Sequence, residues 1–352
     1  MVFVTGGTGL VGSHLLLSLL QNGVKVRALK RNTSNISQVQ KVFSWYTGDA
    51  EELFRQIEWV NGDILDIYSL EPLLQGIDTV YHCAAIVSFD SRTRKQMLAN
   101  NIDGTANLVN ASLNMGVRRI CHVSSVSALG KTSHGEPVTE NTNWIPSKRN
   151  TGYSESKFFS ETEIWRGVEE GLEAVIVNPS IIIGPGRWEE GSPAFFRIIH
   201  QGLPFYTTGS TGYVGISDVV TAIQILMDPE NFDKAKNQRF LINSQNLTFR
   251  EFFTKVSAAL GKPAPRIPVS RTMLSVAWRI LAIWTWISGK PSPVTRETAS
   301  SSSSRTEFDG SKICRMFNFQ YSPVEEVIRN TAGIFIREHH HGDPDERTHD
   351  QA

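Results

Sequence analysis

The sequence predicts an α/β protein: a doubly wound parallel sheet with a smaller C-terminal cap. Three observations predict it. Short apolar runs alternate with helical patterns through the first half of the chain. A glycine cluster separates the first such run from the first helix. After about residue 185 the alternation lapses, and helical segments follow without regular strands. Strand–helix alternation over this length builds a parallel sheet with helices on both faces.

Val2-Phe3-Val4 reads as a buried strand and Leu10 to Gln21 as a helix, with leucines at 15, 16, 19 and 20. Further strands are expected at Val24–Leu29, Ile57–Ile64, Thr79–Cys83, Arg119–Val123, Val175–Val177 and Phe240–Ile242. Residues 1–184, rejoined by the late strand near 238–243, are expected to form the sheet domain. Residues 185–336 are expected to be mainly cap, with helices at Phe195–Gln201 and Phe249–Leu260. Chain that leaves a doubly wound sheet late covers the carboxyl ends of the strands, where ligands bind. Pro263 to Pro268 reads as a stiff extended linker. Ser300 to Ser304 reads as a mobile low-complexity run, and 337–352, with His339-His340-His341, as a disordered polar tail.

Composition narrows the function. The 352 residues carry 35 basic and 35 acidic side chains, with 40% apolar and 20% charged residues. Enough apolar surface is available for a folded core, and the even charge balance disfavours a nucleic-acid binder. Cys83, Cys121 and Cys314 are scattered, without the spacing of a zinc site or a disulfide framework, so no metal is expected. Met1-Val2-Phe3-Val4 lacks a basic signal-peptide start, which makes the cytoplasm the expected location. No uncharged apolar run reaches the roughly 20 residues of a membrane span. The nearest, Thr272 to Ile287, is broken by Arg279, and its Met273–Ile287 part contains Trp278, Trp284 and Trp286. It reads as core, a pocket cover, a dimer contact or a membrane-facing surface, and the sparse positive charge favours burial.

Thr5-Gly6-Gly7-Thr8-Gly9-Leu10-Val11-Gly12 lies between the first strand and the first helix. Gly6, Gly9 and Gly12 permit a tight turn and close backbone approach to a pyrophosphate, while the helix start offers free N–H groups. Thr8, Leu10 and Val11 belong to the same cradle. At the end of the second strand an NAD enzyme places a carboxylate on the ribose 2′-hydroxyl. Here the chain reads Val26-Arg27-Ala28-Leu29-Lys30-Arg31-Asn32, without a carboxylate. Arg31, with Lys30 as second choice, suits a 2′-phosphate, so NADP(H) is favoured and NAD(H) stays open.

Tyr153-Ser154-Glu155-Ser156-Lys157 puts a phenol and an ammonium one helical turn apart. A neighbouring ammonium is expected to lower the tyrosine pKa and make it a usable acid or base. Ser124-Ser125-Val126-Ser127 directly follows the strand Ile120–Val123, at the carboxyl end where ligands bind. A serine there can hold a carbonyl oxygen while the tyrosine delivers a proton. Ser125, Tyr153 and Lys157 are therefore the candidate catalytic residues.

With these motifs in order, the chain resembles the extended short-chain dehydrogenase/reductases over Val2 to about Thr331. Further markers are Gly62-Asp63-Ile64, Tyr81-His82-Cys83-Ala84-Ala85, Asn101-Ile102-Asp103-Gly104-Thr105, Asn178-Pro179 and Gly184-Pro185. The resemblance implies that Asp63 and Ile64 flank adenine. It implies that Ala84 and Ala85 line the pyrophosphate and ribose, and Pro179 to Ile182 the nicotinamide. Lys157 would bond the nicotinamide ribose. Asn101 would be either a relay asparagine or a helix stabiliser. A homodimer would fit the family as well.

Departures from the family pattern select a branch. Val126-Ser127 stands where 4,6-dehydratases carry an Asp-Glu pair. Ala128-Leu129-Gly130 and Ile181 replace residues common in sugar-nucleotide epimerases, and Asn178 stands where many members carry arginine. The remaining pattern is similar to the dihydroflavonol-4-reductase-like and 3β-hydroxysteroid-dehydrogenase-like branch. That implies reduction of a carbonyl, or oxidation of an alcohol, on a relatively apolar small molecule. Ile86-Val87-Ser88-Phe89, Phe205-Tyr206 and Tyr213 are candidates for its pocket, with core as the competing role for each. The alternatives are an epimerase with tightly held NAD(H) and a cofactor-sensing protein without useful catalysis.

Overall fold

The computed structural model describes residues 1–90, 92–132, 135–147, 150–270, 272–274 and 302–340. The chain opens with β1 (Val2–Thr5), α1 (Leu10–Gln21), β2 (Val26–Lys30), α2 (Ser37–Ser44), α3 (Ala50–Arg55), β3 (Glu58–Asn61), α4 (Ile67–Leu70) and β4 (Thr79–His82). It continues with α5 (Arg94–Leu98), α6 (Gly104–Asn114), β5 (Arg119–Val123), α7 (Gly152–Glu169), β6 (Glu173–Pro179) and β7 (Ile181–Ile183). Then come α8 (Ala194–His200), β8 (Phe205–Thr207), β9 (Ser210–Gly215), α9 (Ile216–Met227), α10 (Pro229–Ala235), β10 (Gln238–Ile242) and β11 (Gln245–Thr248). The last elements are α11 (Phe249–Ala259), β12 (Ile267–Val269), α12 (Ser311–Phe317) and α13 (Val324–His340).

Seven strands form one sheet in the order β10-β6-β5-β4-β1-β2-β3, every pair parallel. Parallel strands covered on both faces read as near-continuous apolar runs, and Phe3 and Val4 of β1 have no exposed surface. Leucines of α1 share one core with Val219 and Ile223 of α9, Phe232 of α10 and Ile313 of α12. Leu108 and Val109 of α6 and Ile164 of α7 fill the opposite face. The strand order reverses between β1 and β4, and the crevice at that switch point faces the cap. Part of the chain after residue 185 thus returns to the sheet: α9, α10, β10 and α12 all pack on it.

The cap is built on β11-β9-β7, with β9 antiparallel to β11 and parallel to β7, and on the parallel pair β12-β8. Phe252 of α11, Phe335 of α13 and Tyr213 of β9 lie in its core, where Tyr213 stacks on Phe252 at 4.4 Å. Three local expectations change. The linker ends in strand β12 from Ile267. The carbonyls of Ser302 and Ser304 accept hydrogen bonds from the Gly209 and Ser210 amides, so the described part of that run, from Ser302, is tied to the start of β9 rather than loose. Helix α13 runs on to His340, and His339 stacks on Phe335 at 3.8 Å, because that end of the chain has an aromatic surface to cover. The tail beyond 340, and the tryptophan-rich stretch apart from Met273 and Leu274, lie outside the described residues.

Glu338 joins the two parts. Its carboxylate accepts from Trp45 Nε1 and Trp188 Nε1, each at 2.7 Å, and Lys41 Nζ lies 3.0 Å away. Removing it leaves two indole N–H donors without partners at a mostly buried point. Glu338→Ala is expected to cost about 2 kcal/mol and to lower Tm by roughly 4 °C. An unchanged melting curve would show that this junction adds nothing.

Candidate active site

The switch point positions the glycine turn. Thr5 ends β1, and Gly6 then adopts φ +69°, which glycine reaches without strain. A Cβ on Gly6 would lie 2.5 Å from the Ala84 nitrogen, so the turn touches the chain that leaves β4. A Cβ on Gly12 would overlap the Gly6 carbonyl oxygen. Helix α1 begins at Gly9 without a side-chain cap, so its first N–H groups face the crevice with no partner from a capping side chain. This is a cradle kept open for an anion at a helix start, and it fits a dinucleotide pyrophosphate.

The edge strands supply the other end. Arg27 is already engaged: Nε donates to Glu58 at 2.9 Å and Nη1 to the Leu73 carbonyl at 2.8 Å. Arg31 follows β2 directly and is exposed. Its guanidinium has no hydrogen-bond or ion-pair partner among the described residues. Asp63 Oδ1 accepts from the Leu65 amide at 3.0 Å, which fixes the turn after β3 beside Ile64.

The hydroxyl constellation forms where β5 meets α7. Ser125 leaves β5 and starts a short 3₁₀ turn over Val126–Ala128, accepting from the Ser127 amide at 3.1 Å. Thr151 caps α7 by accepting from the Ser154 amide at 3.0 Å. Ser154 in turn donates to the Ser127 carbonyl at 2.7 Å, docking the helix start on the serine turn. This brings the Tyr153 hydroxyl near Ser125, whose side chain favours the phenolate. Lys157, 3% exposed, donates to the Val123 carbonyl at 2.9 Å.

The electrostatics differ from the sequence expectation. Burial raises the Tyr153 hydroxyl above the ordinary phenol range, and the Ser125 side chain only partly offsets this. Lys157 does not lower it here, because the ammonium is directed at the Val123 carbonyl. Burial instead brings Lys157 down to about 8, opposed by Glu161 and Cys83. Tyr153 is therefore held as the protonated acid, beside a lysine whose charge changes near neutral pH.

Every candidate catalytic and cofactor-binding residue lines one cavity of about 1740 Å³: Gly6, Thr8, Gly9, Leu10, Val11, Arg31, Asp63, Ile64, Ala84, Ala85, Ser125, Tyr153, Lys157, Pro179 and Ile182. Phe89 meets the Tyr153 ring edge-on at 5.8 Å, and Phe195, Phe249, Phe308 and Ile181 line the same cavity, which also carries polar and charged side chains such as Arg187, Glu189 and Glu190. Of the pocket candidates, Ile86 to Phe89 do line it. Phe205, Tyr206 and Tyr213 do not: Phe205 and Tyr206 sit on the β8 edge, and Tyr213 is in the cap core. Phe195, Phe249 and Phe308 were missed, although Phe249 stands directly after the helix-capping Thr248.

The description "NAD dependent epimerase/dehydratase family" matches residues 2–242. The chain belongs to that family. As a member of the epimerase/dehydratase family it is an NAD(P)-dependent enzyme acting on carbon–oxygen groups. It is 27% identical over 338 residues to a Synechocystis protein provisionally named a dihydroflavonol 4-reductase, covering 95% of this chain and 94% of that one. It is 29% identical over 281 residues to sterol demethylase protein B of Methylococcus capsulatus, covering 78% and 79%. The crystal structure of gox2253 superposes with a TM-score of 0.78 at 27% identity, covering 96% of this chain and 98% of that one.

Two family markers acquire definite surroundings. Asn101 lies in a single π turn, Ala99–Asp103, between α5 and α6. Its amide brackets Ile86, accepting from the backbone N–H at 2.8 Å and donating to the carbonyl at 2.9 Å, and it also meets Ser156 Oγ at 3.0 Å. Asn101 therefore ties the cavity-lining loop to α7. Asn178 is fully buried, and its Nδ2 donates to the Ser125 carbonyl at 3.0 Å and to Glu161. No group of side chains among the described residues could hold a metal ion, and no helix among them is long and apolar enough to cross a membrane.

Proposed function

We propose that this enzyme is an NADP(H)-dependent reductase of a ketone or aldehyde on an apolar, ring-bearing small molecule, working as a dehydrogenase in reverse. The observation that carries the reading is the shared cavity: Ser125, Tyr153 and Lys157 line it together with the glycine cradle and with Phe89, Phe195, Phe249 and Phe308. The bound nicotinamide would supply hydride to the carbonyl carbon. Ser125 holds the carbonyl oxygen, Tyr153 gives it a proton, and Lys157 in its charged form would bond the nicotinamide ribose beside them. Gly6, Gly9 and the start of α1 would hold the pyrophosphate. Ile181 and the phenylalanines offer little to a sugar hydroxyl, which supports an apolar substrate. Relatives named dihydroflavonol 4-reductase and 3-beta-hydroxysteroid dehydrogenase agree with that choice.

The cofactor assignment rests on Arg31. Arg31→Ala is expected to weaken NADPH binding roughly 10- to 100-fold, the loss of a charge-assisted pair, and to leave NADH binding unchanged. Titration of the purified protein with each reduced cofactor, followed by nicotinamide fluorescence, reads this directly. Equal affinity of the wild-type chain for NADH and NADPH would overturn the assignment. Cofactor that co-purifies and survives dialysis would move the reading to an epimerase. A panel of flat cyclic ketones, with a nucleotide sugar as control, tests the substrate class.

A further inference from the structure

Glu161 is a buried carboxylate that the reaction above does not use. It lies one turn beyond Lys157 on α7 and is 2% exposed. Asn178 Nδ2 of β6 donates to one carboxylate oxygen, and Arg239 Nη1 of β10 approaches the other at 3.5 Å. The Arg239 guanidinium is itself fixed, Nε donating to the Glu140 carbonyl at 2.7 Å. The same Asn178 nitrogen donates its second hydrogen to the carbonyl of Ser125 at 3.0 Å. One amide therefore ties the Ser125 turn to a carboxylate one helical turn from Lys157.

We propose that Glu161 and Asn178 are positioning residues for the reacting hydroxyls: Asn178 fixes the Ser125 turn, and the charge of Glu161 keeps the buried Lys157 an ammonium. The proposal rests on the Ser125–Tyr153–Lys157 reading given above.

The charges around the pair support it. Lys157 is faced by His82 and Cys83 from the end of β4, by His122 from β5 and by Glu161 from its own helix. Burial brings His82 down to about 3 and lowers His122 well below its ordinary value, so both rings are neutral at neutral pH. Burial pushes the Cys83 thiol up to about 12, so it too is neutral. That leaves Glu161 as the anion available to Lys157. Burial pushes the Glu161 carboxyl up, while hydrogen bonds, those from Asn178 and Arg239 among them, and the Arg239 charge hold it back toward ionisation.

The sign follows. Lys157 is charged below its pKa, so activity that needs the ammonium falls as pH rises through about 8. Glu161→Gln keeps the shape and an acceptor for Asn178 but removes the charge. An opposite charge at such range is worth about one pKa unit or more. The alkaline limb of kcat, and of NADPH affinity read by fluorescence, is therefore expected to move down by about one pH unit. On the alkaline side that is a loss of roughly tenfold against wild type. Asn178→Ala frees the Ser125 carbonyl, so kcat should fall at every pH, including below the limb; it also removes one of the hydrogen bonds that favour the Glu161 anion, so its limb should move down no further than that of Glu161→Gln.

A limb that stays put in a folded Glu161→Gln protein overturns the charge role. If that variant does not fold, wild-type kcat in Asn178→Ala overturns the positioning role instead. Lys157→Met, run alongside, separates the two levels: turnover that survives there sinks the underlying reading, whereas loss there with unmoved behaviour in both other variants sinks only this proposal.

Discussion

Tyr153→Phe is expected to lower carbonyl reduction by at least about 10²- to 10⁴-fold, the usual contribution of a placed general acid, while leaving cofactor affinity largely intact. The substitution removes one oxygen. The ring keeps its edge-on contact with Phe89 at 5.8 Å and its place in the first turn of α7, held by the Thr151 cap. Ser125 loses the neighbouring Tyr153 hydroxyl but keeps the bond from the Ser127 amide, so the serine turn has reason to stay formed. The loss should appear in kcat, because the proton is given only as the alkoxide develops. Steady-state rates with a reducible ketone, set beside NADPH fluorescence titration of the same variant, separate the two effects. Full turnover in Tyr153→Phe would remove the mechanism, and loss of cofactor binding with turnover would place the residue in the nucleotide site instead.

The sheet and its crevice were legible because their causes are local. A parallel strand covered on both faces reads as a near-continuous apolar run, so β1 announces itself, and β5, although Arg119 and His122 stand in it, has the same limits in sequence and structure. A glycine turn opening a helix has a fixed spacing, and Ser125 and Tyr153 stand at the starts of elements that the spacing places. The cap was less legible. Phe195, Phe249 and Phe308 come from three distant segments and meet only through cap pairing; Phe308, for example, arrives because its neighbours bond Val138. Strand β9, Ser210–Gly215, carries no clean alternation. Glu161 is the clearest omission. Four residues after a lysine on a helix, a glutamate reads as half of a solvated pair, and nothing in the local sequence says that both side chains are buried. Only the arrival of Asn178 and Arg239 from neighbouring strands makes such a carboxylate tolerable, and that is a tertiary fact.

Gly12→Ala should weaken both reduced cofactors by about 100-fold or more, the scale of an ångström-sized displacement at a functional turn. The added Cβ would overlap the Gly6 carbonyl oxygen and sit 2.9 Å from the Gly7 Cα. Those atoms are backbone, so no side chain can rotate aside. Gly6 cannot yield the other way, because its own Cα lies against the Cys83–Ala84 backbone. The turn must therefore lift away from the start of α1, which moves the N–H groups meant for the pyrophosphate. The rest of α1 keeps its leucines in the core, so the effect on binding should exceed the effect on folding. Gly48→Ala is the matched control, since a Cβ there meets nothing within 4 Å and the backbone is not left-handed. Titration with NADPH and NADH, together with thermal melts of both variants, decides the matter. If Gly12→Ala binds as the wild type does, the glycine turn is merely a strand–helix connection, and the pyrophosphate must be held elsewhere.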